Sequence, residues 1–509
     1  MTRGPGGRRA RGGRSGRPRV CLWILAGVSD WRAGPSGSFS PLPAGRGIVT
    51  SFRLGYLGEH GYFFSCLDRR HQNRFRELVK QHAHAVNAAA SGLSALPGAA
   101  RPFAATRAMT RFLNHDDIPF HALLEPAQDA VRAALAASTS GFALVVHDWC
   151  MFSFNTHTTK HDRYQRSHDT DRGYELGTAL VVDAADGRPL GPVELRLRTA
   201  DRVLTTRPGH TPMPAGHVDE LLGVWNAVRA AHLAKTLVHV VDREADSVGH
   251  YRRWHARGHR FLVRADTQRA LLWHDRECRL TDVVAALAPT SEDVRGGDGG
   301  PTLVTIRSGT GRVRVAETEV VLHRPARRTI PGERTAGGHK KQVEVPGPPI
   351  RLRLIVARVV DPGGEVLAEW CLLTNLAAPE ANGATIGRWY AWRWRIETYH
   401  KLLKSAGMNA EEWQQETGPA FLRRLCVASM ACLTVWHLQR DESGEAARLR
   451  AVLVRLSGRQ MGRGVGSTAP ALLAGLEKLL AIDDLMRTED LPAVLALARR
   501  VLPKLFHSG

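Results

Sequence analysis

Hydrophobic and polar positions follow two different periods along the chain, and the change of period divides it into regions. Apolar side chains recur at helical spacing over Arg69–Ala90, Phe103–Asn114 and Asp117–Ser138. From Phe142 onward the pattern changes to short apolar runs, which are typical of buried strands. These runs predict strands at Phe142–Asp148, Gly177–Asp183, Val193–Arg198, Thr236–Asp242 and Arg260–Arg264. Helical patterns at Val218–Lys235 and Ala245–Arg257 separate the last three runs, so those strands are expected to be parallel.

The second half of the chain begins with a different pattern. Residues 266–366 contain turn-forming glycines and prolines between predicted strands at Thr302–Arg307, Arg312–His323 and Ile350–Val360, together with a basic loop at Ala326–Lys341. A strand at Leu367–Leu376, a long helix at Ile386–Ala406 and helical periodicity over Gly418–Gly509 follow. The order predicts an α/β protein. A β insertion interrupts its α/β unit, and helical regions flank that unit.

Charge narrows the class of partner. The 509 residues carry 70 Lys and Arg against 49 Asp and Glu, a net charge of +21, which favours a polyanion such as nucleic acid. A genome rich in GC, which favours Arg codons, would produce the same bias. Residues 1–48 hold nine Arg and one acidic residue. We interpret residues 1–50 as a disordered basic extension or as the product of a misassigned start site.

Cysteines and hydropathy indicate the compartment. None of the seven cysteines forms a CxxC pair, which favours a reducing cytosol over a disulfide framework. No apolar run reaches the roughly 18 residues that a membrane-spanning helix needs. We therefore expect a cytoplasmic, nucleoid-associated protein with no membrane partner.

Three carboxylates stand out as candidate chemistry. Asp148 and Asp242 each follow a buried apolar run, and Glu397 lies on the long predicted helix. Two Asp and one Glu are hard oxygen ligands that suit Mg²⁺ or Mn²⁺. Two such ions, about 3.5–4 Å apart, would activate a water and stabilise the leaving oxygen in a phosphoryl displacement.

The same helix carries other polar groups at matching spacing. Tyr390, Arg393, Glu397 and Lys404 fall within an arc of roughly 60° at about 100° per residue. An exposed helix with an ordinary Arg393–Glu397 pair would show the same stripe.

The stripe also matches a known pattern. Tyr-x2-Arg-x3-Glu-x6-Lys resembles the YREK signature of the bacterial DDE cut-and-paste transposases of insertion-sequence family four, the group that contains the transposon-five enzyme. Val241-Asp242-Arg-Glu-Ala-Asp246 and His147-Asp148 resemble the segments around that family's two catalytic Asp residues, and Phe261–Arg264 resembles the strand whose Arg contacts transposon-end DNA. The resemblance spans about residues 60–440.

The resemblance implies an RNase H-like catalytic core with a β insertion. It implies an N-terminal helical DNA-binding domain (51–140), a catalytic domain (141–415, insertion about 266–366) and a C-terminal helical dimerisation region (416–509). The implied DDE triad is Asp148, Asp242 and Glu397 with Mg²⁺. DNA contacts are implied for Arg264, Tyr390, Arg393 and Lys404, and Trp394 is implied to stabilise a flipped base.

The family also implies a mechanism and partners. Water attacks at the transposon end, a DNA hairpin forms and is reopened, and the end is joined to target DNA. The partners are double-stranded DNA, as inverted repeats and as target, and a second copy of the chain in a synaptic homodimer. An RNase H-like nuclease without strand transfer and a catalytically degenerate DNA-binding remnant are the alternatives.

Weaker signals complete the picture. His157, His161 and His168 lie in one polar loop, which we interpret as solvated or phosphate-facing rather than as a zinc site. Asp246 is expected to cap a helix rather than to bind metal. Trp273 and Trp370 are weak candidates for base stacking. Trp149 and Cys150 replace the two Thr that many relatives have after the first Asp.

Overall fold

The structure, a computed structural model, describes residues 67–84, 102–166, 168, 170–209, 216–288, 291–295, 302–306, 309–335, 339–405, 407–462 and 465–501. The prediction for residues 1–50 lies outside these ranges, as does the continuation of the first predicted helix beyond His84. The described chain is a mixed α/β protein, as the sequence pattern predicted.

Helices occupy both ends of the described chain and cover the sheet between them. They are α1 (Arg69–His84), α2 (Pro102–Leu113), α3 (Phe120–Ala137), α4 (His217–Ala230), α5 (Val248–Ala256), α6 (Leu280–Leu287), α7 (Gly383–Ala391), α8 (Arg395–Lys404), α9 (Gly418–Arg440), α10 (Gly444–Ser457), α11 (Ala469–Thr488) and α12 (Leu491–Val501).

The strands begin where the hydrophobic period shortens. They are β1 (Phe142–Ser153), β2 (Tyr164–Gln165), β3 (Arg172–Asp183), β4 (Pro189–Arg198), β5 (Val203–Thr205), β6 (Thr236–Val241), β7 (Arg260–Arg264), β8 (Ala270–Trp273), β9 (Arg276–Arg279), β10 (Glu292–Asp293), β11 (Leu303–Ile306), β12 (Gly309–Leu322), β13 (Ala326–Arg334), β14 (Lys340–Val345), β15 (Ile350–Val360) and β16 (Val366–Thr374).

One mixed sheet organises most of these strands. Its order is β5-β4-β3-β1-β6-β7-β16-β15-β12-β8-β9, with β2, β10 and β11 paired at its margins. The strands β4, β3 and β1 form an antiparallel meander, whereas β1, β6 and β7 run parallel. Helices α4 and α5 make the crossovers between β5, β6 and β7, which explains why β6 is buried at four of its six positions.

The predicted insertion extends this sheet rather than standing apart from it. Strand β16 pairs antiparallel with β7, and β15 and β12 continue outward from β16. The segment Ala326–Lys341, predicted as a loop, is for most of its length a separate two-stranded sheet made of β13 and β14. The prediction failed there because the charged residues at this site give no hydrophobic alternation.

Helix α9 is the central core helix of the protein. It packs against α1, α2 and α3 from the start of the described chain and against β4. Its length and composition would suit a membrane span, but 89% of its most apolar 18-residue window is buried inside the protein. Thr417 caps its first turn by accepting a hydrogen bond from the Ala420 N–H.

Candidate active site

The register of two parallel strands brings Asp148 and Asp242 together. The last parallel pair between β1 and β6 joins His147 and Val241, so each Asp is the next residue on its own strand. Asp242 directly follows β6, which ends at Val241, one residue earlier than predicted. Asp148 does not end β1, because the longer neighbour β3 continues to pair with it, through Asp148↔Thr178, as far as Ser153.

Local hydrogen bonds orient both carboxylates. The Trp149 N–H donates to Asp148 Oδ1 over 2.8 Å, and the Arg243 N–H donates to Asp242 Oδ1 over 2.7 Å. Asp242 thereby caps the single 3₁₀ turn Arg243–Ala245 that follows β6. The second oxygen, Oδ2, of each carboxylate faces the guanidinium of Arg393.

The long helix predicted to carry Glu397 is interrupted. A 3₁₀ turn at Trp392–Trp394 separates α7 from α8. Trp392 lies so close to Gly187, in the β3–β4 turn, that a Cβ added there would approach the indole to 2.4 Å. The tighter turn lets Trp392 pack on Gly187 while its neighbour Arg393 is buried among the carboxylates.

Arg393 is the centre of the candidate site. Its guanidinium lies 3.6 Å from Asp148 Oδ2, 3.3 Å from Asp242 Oδ2 and 3.0 Å from Glu397 Oε1. Its side chain is only 4% exposed. One cation thus joins three carboxylates that are far apart in sequence.

Two further predicted residues contact this cluster on the Asp242 side. The Tyr390 hydroxyl donates to Asp242 Oδ1 over 3.0 Å, and Arg264 Nη1 lies 3.9 Å from the same oxygen. Trp370 packs on the Tyr390 ring at 5.6 Å and is itself buried, so it supports the site from beneath. Tyr390 and Arg264, which the sequence predicts as DNA contacts, both lie beside Asp242 in the structure.

Burial and neighbouring charges shift the pKa values of the three carboxyl groups in different directions. Burial raises the pKa of Glu397 to about 7 and that of Asp148 to about 6, and Arg393 opposes both shifts. Burial acts on Asp242 too, but Arg393, the Arg243 N–H and Tyr390 together hold its pKa below the ordinary value. The carboxylates raise the pKa of Arg393 despite its burial. The cluster therefore holds more negative charge than a single guanidinium balances.

These oxygens suit a divalent cation by their chemistry. They are hard oxygen donors, the kind of ligand that Mg²⁺ and Mn²⁺ prefer, and in this structure they face the positive charge of Arg393. Within the described ranges, however, no three side chains of His, Cys, Asp or Glu lie close enough together to hold a metal ion. The guanidinium of Arg393 supplies the positive charge instead.

Lys404 and Trp394 lie at the edge of the cluster. The Lys404 ammonium donates to the Met151 carbonyl over 2.7 Å and pairs with Glu411 Oε1 at 3.1 Å. Glu411 also accepts from the Ser153 N–H, so it links α8 to the end of β1. The Trp394 ring is half-buried, 5.0 Å from the Arg393 guanidinium.

His217 was not identified from the sequence. It lies at the start of α4, where its imidazole is 3.2 Å from Glu244, 3.8 Å from Glu175 and stacked at 4.5 Å on Trp149. Hydrogen bonds to both carboxylates raise its pKa to about 9. A lone His at the first turn of a predicted helix gives no signal in sequence, since its partners come from β3 and from beyond β6.

Other sequence candidates have different roles. Asp246 does not cap helix α5, whose N-cap is Ser247; it is the C-cap residue of the 3₁₀ turn Arg243–Ala245. It is 3% exposed, accepts from the Tyr251 hydroxyl and the Asp266 N–H, and pairs with Arg269 at 2.7 Å. Trp273 donates to Thr318. The predicted histidine loop forms no metal site within the described residues.

Comparison with known proteins gives little. No family model and no curated protein matches the chain. Among solved structures, the chain is similar to the piggyBac transposase in a cryo-EM synaptic complex with hairpin DNA. The TM-score is 0.31 and the identity 8%, over 72% of this chain and 57% of that one. The chain thus spans less than two thirds of that protein.

Proposed function

We propose that the protein is a metal-dependent DNA transposase. The observation that carries the proposal is the convergence of Asp148, Asp242 and Glu397 on Arg393, within 3.6 Å in every case. These four side chains belong to sequence motifs that lie about 250 residues apart and that the family resemblance groups together. An exposed helix with an ordinary ion pair would not bury Arg393 against the two aspartates that follow the last parallel pair of β1 and β6.

The sheet order supports an RNase H-like core. Five strands run β4-β3-β1-β6-β7, with an antiparallel meander of three followed by two parallel strands. In chain order, Asp148 lies on β1, the first of these five strands, and Asp242 directly follows β6, the fourth. Carboxylates at the ends of parallel strands lie where ligands bind in open α/β sheets.

In this structure the carboxylates of Asp148, Asp242 and Glu397 contact Arg393, and among the described residues they are not close enough together to hold a metal ion. They would hold one or two Mg²⁺ or Mn²⁺ ions once Arg393 exchanges these contacts for DNA phosphates. The bound metal would activate a water and stabilise the leaving oxygen of the cleaved phosphodiester. Tyr390 and Arg264 would orient Asp242 and the adjacent phosphate. Arg393 and Lys404, now paired with carboxylates of the chain, would exchange those partners for phosphates of the end DNA.

The proposed DNA products are those that the family resemblance implies. Cleavage at the inverted repeats would generate a DNA hairpin, Trp394 would stack on the flipped base, and the reopened end would be joined to target duplex. A synaptic homodimer would hold the two ends. Trp394 is half-buried, with the Arg393 guanidinium 5.0 Å from its ring.

The test is cleavage of the inverted repeats that flank the gene. Purified full-length protein with Mg²⁺ should cut these ends and join them to a supercoiled target, and Asp148→Ala, Asp242→Ala and Glu397→Ala should each abolish both steps. Glu365→Ala, which removes an exposed carboxylate in the β15–β16 turn, is the matched control. Cutting without joining would identify a nuclease. Binding without cutting by the wild type would identify a degenerate remnant.

A further inference from the structure

The sheet made of β13 and β14 stands apart from the main sheet, and we call it the ribbon (Ala326–Val345). Its strands pair antiparallel from Ala326↔Val345 to Thr329↔Gln342, with an irregularity before Arg334↔Lys340. In the main sheet, neighbouring strands shield one another, whereas the ribbon has no strand on either side within the described chain. It therefore has two free edges and two faces.

The base of the ribbon is fixed to helix α5. Ala326 is buried, and its Cβ lies so close to Gly249 that a Cβ added to that glycine would be 3.0 Å away. Arg252, also on α5, donates to the Arg324 carbonyl over 3.0 Å. The point where the ribbon leaves the protein is thus held in place, and its direction is set by the helix.

Beyond its base the ribbon is exposed and basic. It carries five basic residues and two acidic ones, which gives a net charge of +3 over 20 residues: Arg327, Arg328, Arg334, Lys340 and Lys341 against Glu333 and Glu344. Lys341 pairs with Glu333 at 2.8 Å. Arg327 and Arg328 are exposed, and neither side chain donates a hydrogen bond or forms an ion pair within the described chain. Two guanidinium groups therefore remain available to a partner.

The ribbon forms one wall of a cleft that begins at the candidate active site. The cleft has a volume of about 1270 Å³, and Arg327 lines it together with Asp242, Arg243 and Arg264. Arg243 is exposed at the same wall as Asp242. The cleft also contains carboxylates: Asp246 pairs with Arg269 and Glu244 with His217, whereas Asp266 and Glu344 form no ion pair among the described residues. Arginines thus line the cleft from Asp242 to the ribbon, interspersed with these acidic residues.

We infer that the ribbon is an arm that holds double-stranded DNA by its phosphates along this cleft, outward from the site where the strand is cut. The inference rests on the proposed function. A two-stranded ribbon fits the major groove of a duplex. Because neighbouring residues point to opposite faces of a strand, Arg327 and Arg328 present a guanidinium on each face. Such an arm would reach the phosphates on either side of the groove, without base specificity.

The test measures binding as a function of salt. Full-length wild type and the Arg327→Ala/Arg328→Ala variant are titrated with a fluorescent mixed-sequence DNA duplex about four helical turns long, between about 50 and 200 mM NaCl. Each lost phosphate contact should reduce the slope of log K against log salt by about one, so the double variant should lose about two. The Arg327→Lys/Arg328→Lys variant should restore most of the slope.

Arg448→Ala/Arg459→Ala is the matched control, since both are exposed arginines of the C-terminal helical region, away from the cleft. This variant should keep the wild-type slope. An equal slope for wild type and the ribbon variant would overturn the inference, and so would a loss confined to a duplex RNA probe, which would assign the ribbon to another partner.

Failure of the ribbon and failure of the proposed function give different results. If wild type cuts its ends and the ribbon variant binds and cuts equally well, the ribbon inference is wrong and the transposase proposal stands. If the wild type does not cut DNA, and the ribbon variant still lowers the slope of log K against log salt by about two, the inference about the ribbon stands. The catalytic proposal then fails.

Discussion

Arg393 determines the electrostatic balance of the site, because it is the cation that all three carboxylates contact. Arg393→Gln would leave Asp148, Asp242 and Glu397 facing one another across a partly buried space. Removing one partner of a buried ion pair costs about 3–5 kcal/mol. We expect the free energy of unfolding at about pH 8 to fall by about 3 kcal/mol, measured by urea denaturation in EDTA.

Magnesium should reverse much of that loss. If the carboxylates hold the ion, Mg²⁺ binds the folded form and raises its stability by mass action. The thermal midpoint of Arg393→Gln should therefore rise in Mg²⁺ by more than that of wild type. An identical response in the Arg393→Gln/Asp148→Asn double variant would show that the effect does not come from these carboxylates.

The ionised Glu397 side chain should lower the free energy of unfolding at about pH 8. Its pKa is raised from 4.5 to about 7, so the folded protein binds its proton more tightly than the unfolded chain does. Stability from this group is therefore present at low pH and declines as pH rises from about 4.5 to about 7. We expect Glu397→Gln to increase the free energy of unfolding by about 2–3 kcal/mol at about pH 8 and to change it little near pH 4.5. A destabilised variant at pH 8 would contradict the assignment.

His217 should show a pH dependence of the same sign as Glu397, but at higher pH. Its pKa is raised from 6.5 to about 9, so its contribution is complete below about pH 6.5 and is lost as pH rises through 9. Wild type should lose up to about 3 kcal/mol across that interval. His217→Gln should flatten the profile, whereas His161→Gln, which removes an exposed imidazole, should leave it unchanged.

At the scale of single residues, the sequence predicted the members of the site but not what they contact. Motif spacing predicts that Tyr390, Arg393 and Glu397 lie on one face of a helix, because the geometry of a helix depends only on neighbouring residues. It could not predict that Lys404 pairs with Glu411, or that His217 joins Glu175 to Glu244, since those contacts depend on how distant elements pack.

At the scale of elements, the break between α7 and α8 depends on one glycine. Gly187 has φ of +73° and leaves space for Trp392. Gly187→Ala would add the cost of a left-handed backbone, about 1–2 kcal/mol, and a steric conflict with the indole. Gly364→Ala isolates the first cost, because Gly364 has φ of +90° with nothing within 4 Å of its added Cβ.

We expect Gly187→Ala to be less stable than Gly364→Ala by at least about 1 kcal/mol, the usual cost of overpacking. Urea denaturation of both variants measures the difference. Near-UV circular dichroism should change only for Gly187→Ala, because only that substitution displaces a tryptophan. Equal stabilities would mean that Trp392 can move without cost and does not fix Arg393.

Most elements were predictable from their own residues. The strands Arg260–Arg264 and Ile350–Val360 have the predicted bounds, because their apolar runs end in clear changes of polarity. Two kinds of element were not. The 3₁₀ turn at Trp392–Trp394 arises from packing on Gly187, and β1 extends past Asp148 because β3 offers a partner. Tertiary contacts set both boundaries.

At the scale of the whole molecule, helix α9 unites the two ends of the described chain. It buries Phe421, Leu422, Leu425 and Trp436 in the same core that includes residues of α1, α2 and α3. Four such side chains contribute about 6–12 kcal/mol, which is comparable with the entire stability of a typical domain. The family resemblance implies dimerisation for the helical region 416–509, and the sequence does not predict this role in the core, because long-range packing leaves no local signal.

Removal of the tail should therefore unfold the protein. A chain that ends at Glu416 should lack a cooperative thermal transition and should be degraded rapidly by trypsin. A chain that ends at Glu489 is the control, because among the described residues it lacks Asp490 and α12, and no residue of α12 is buried. It should melt at the wild-type temperature. A stable, folded product from the shorter chain would show that the catalytic unit does not need α9.

The central position of α9 also has a consequence for synthesis. The ribosome releases Asp148 and Asp242 long before Glu397, and α9 emerges later still. A nascent or prematurely terminated chain would hold its first two carboxylates on unsupported strands, without the arginine that joins them. Under the proposed function, the site would be complete only after the strands, Arg393 and α9 have all been synthesised, so chains that end before α9 would not cut DNA.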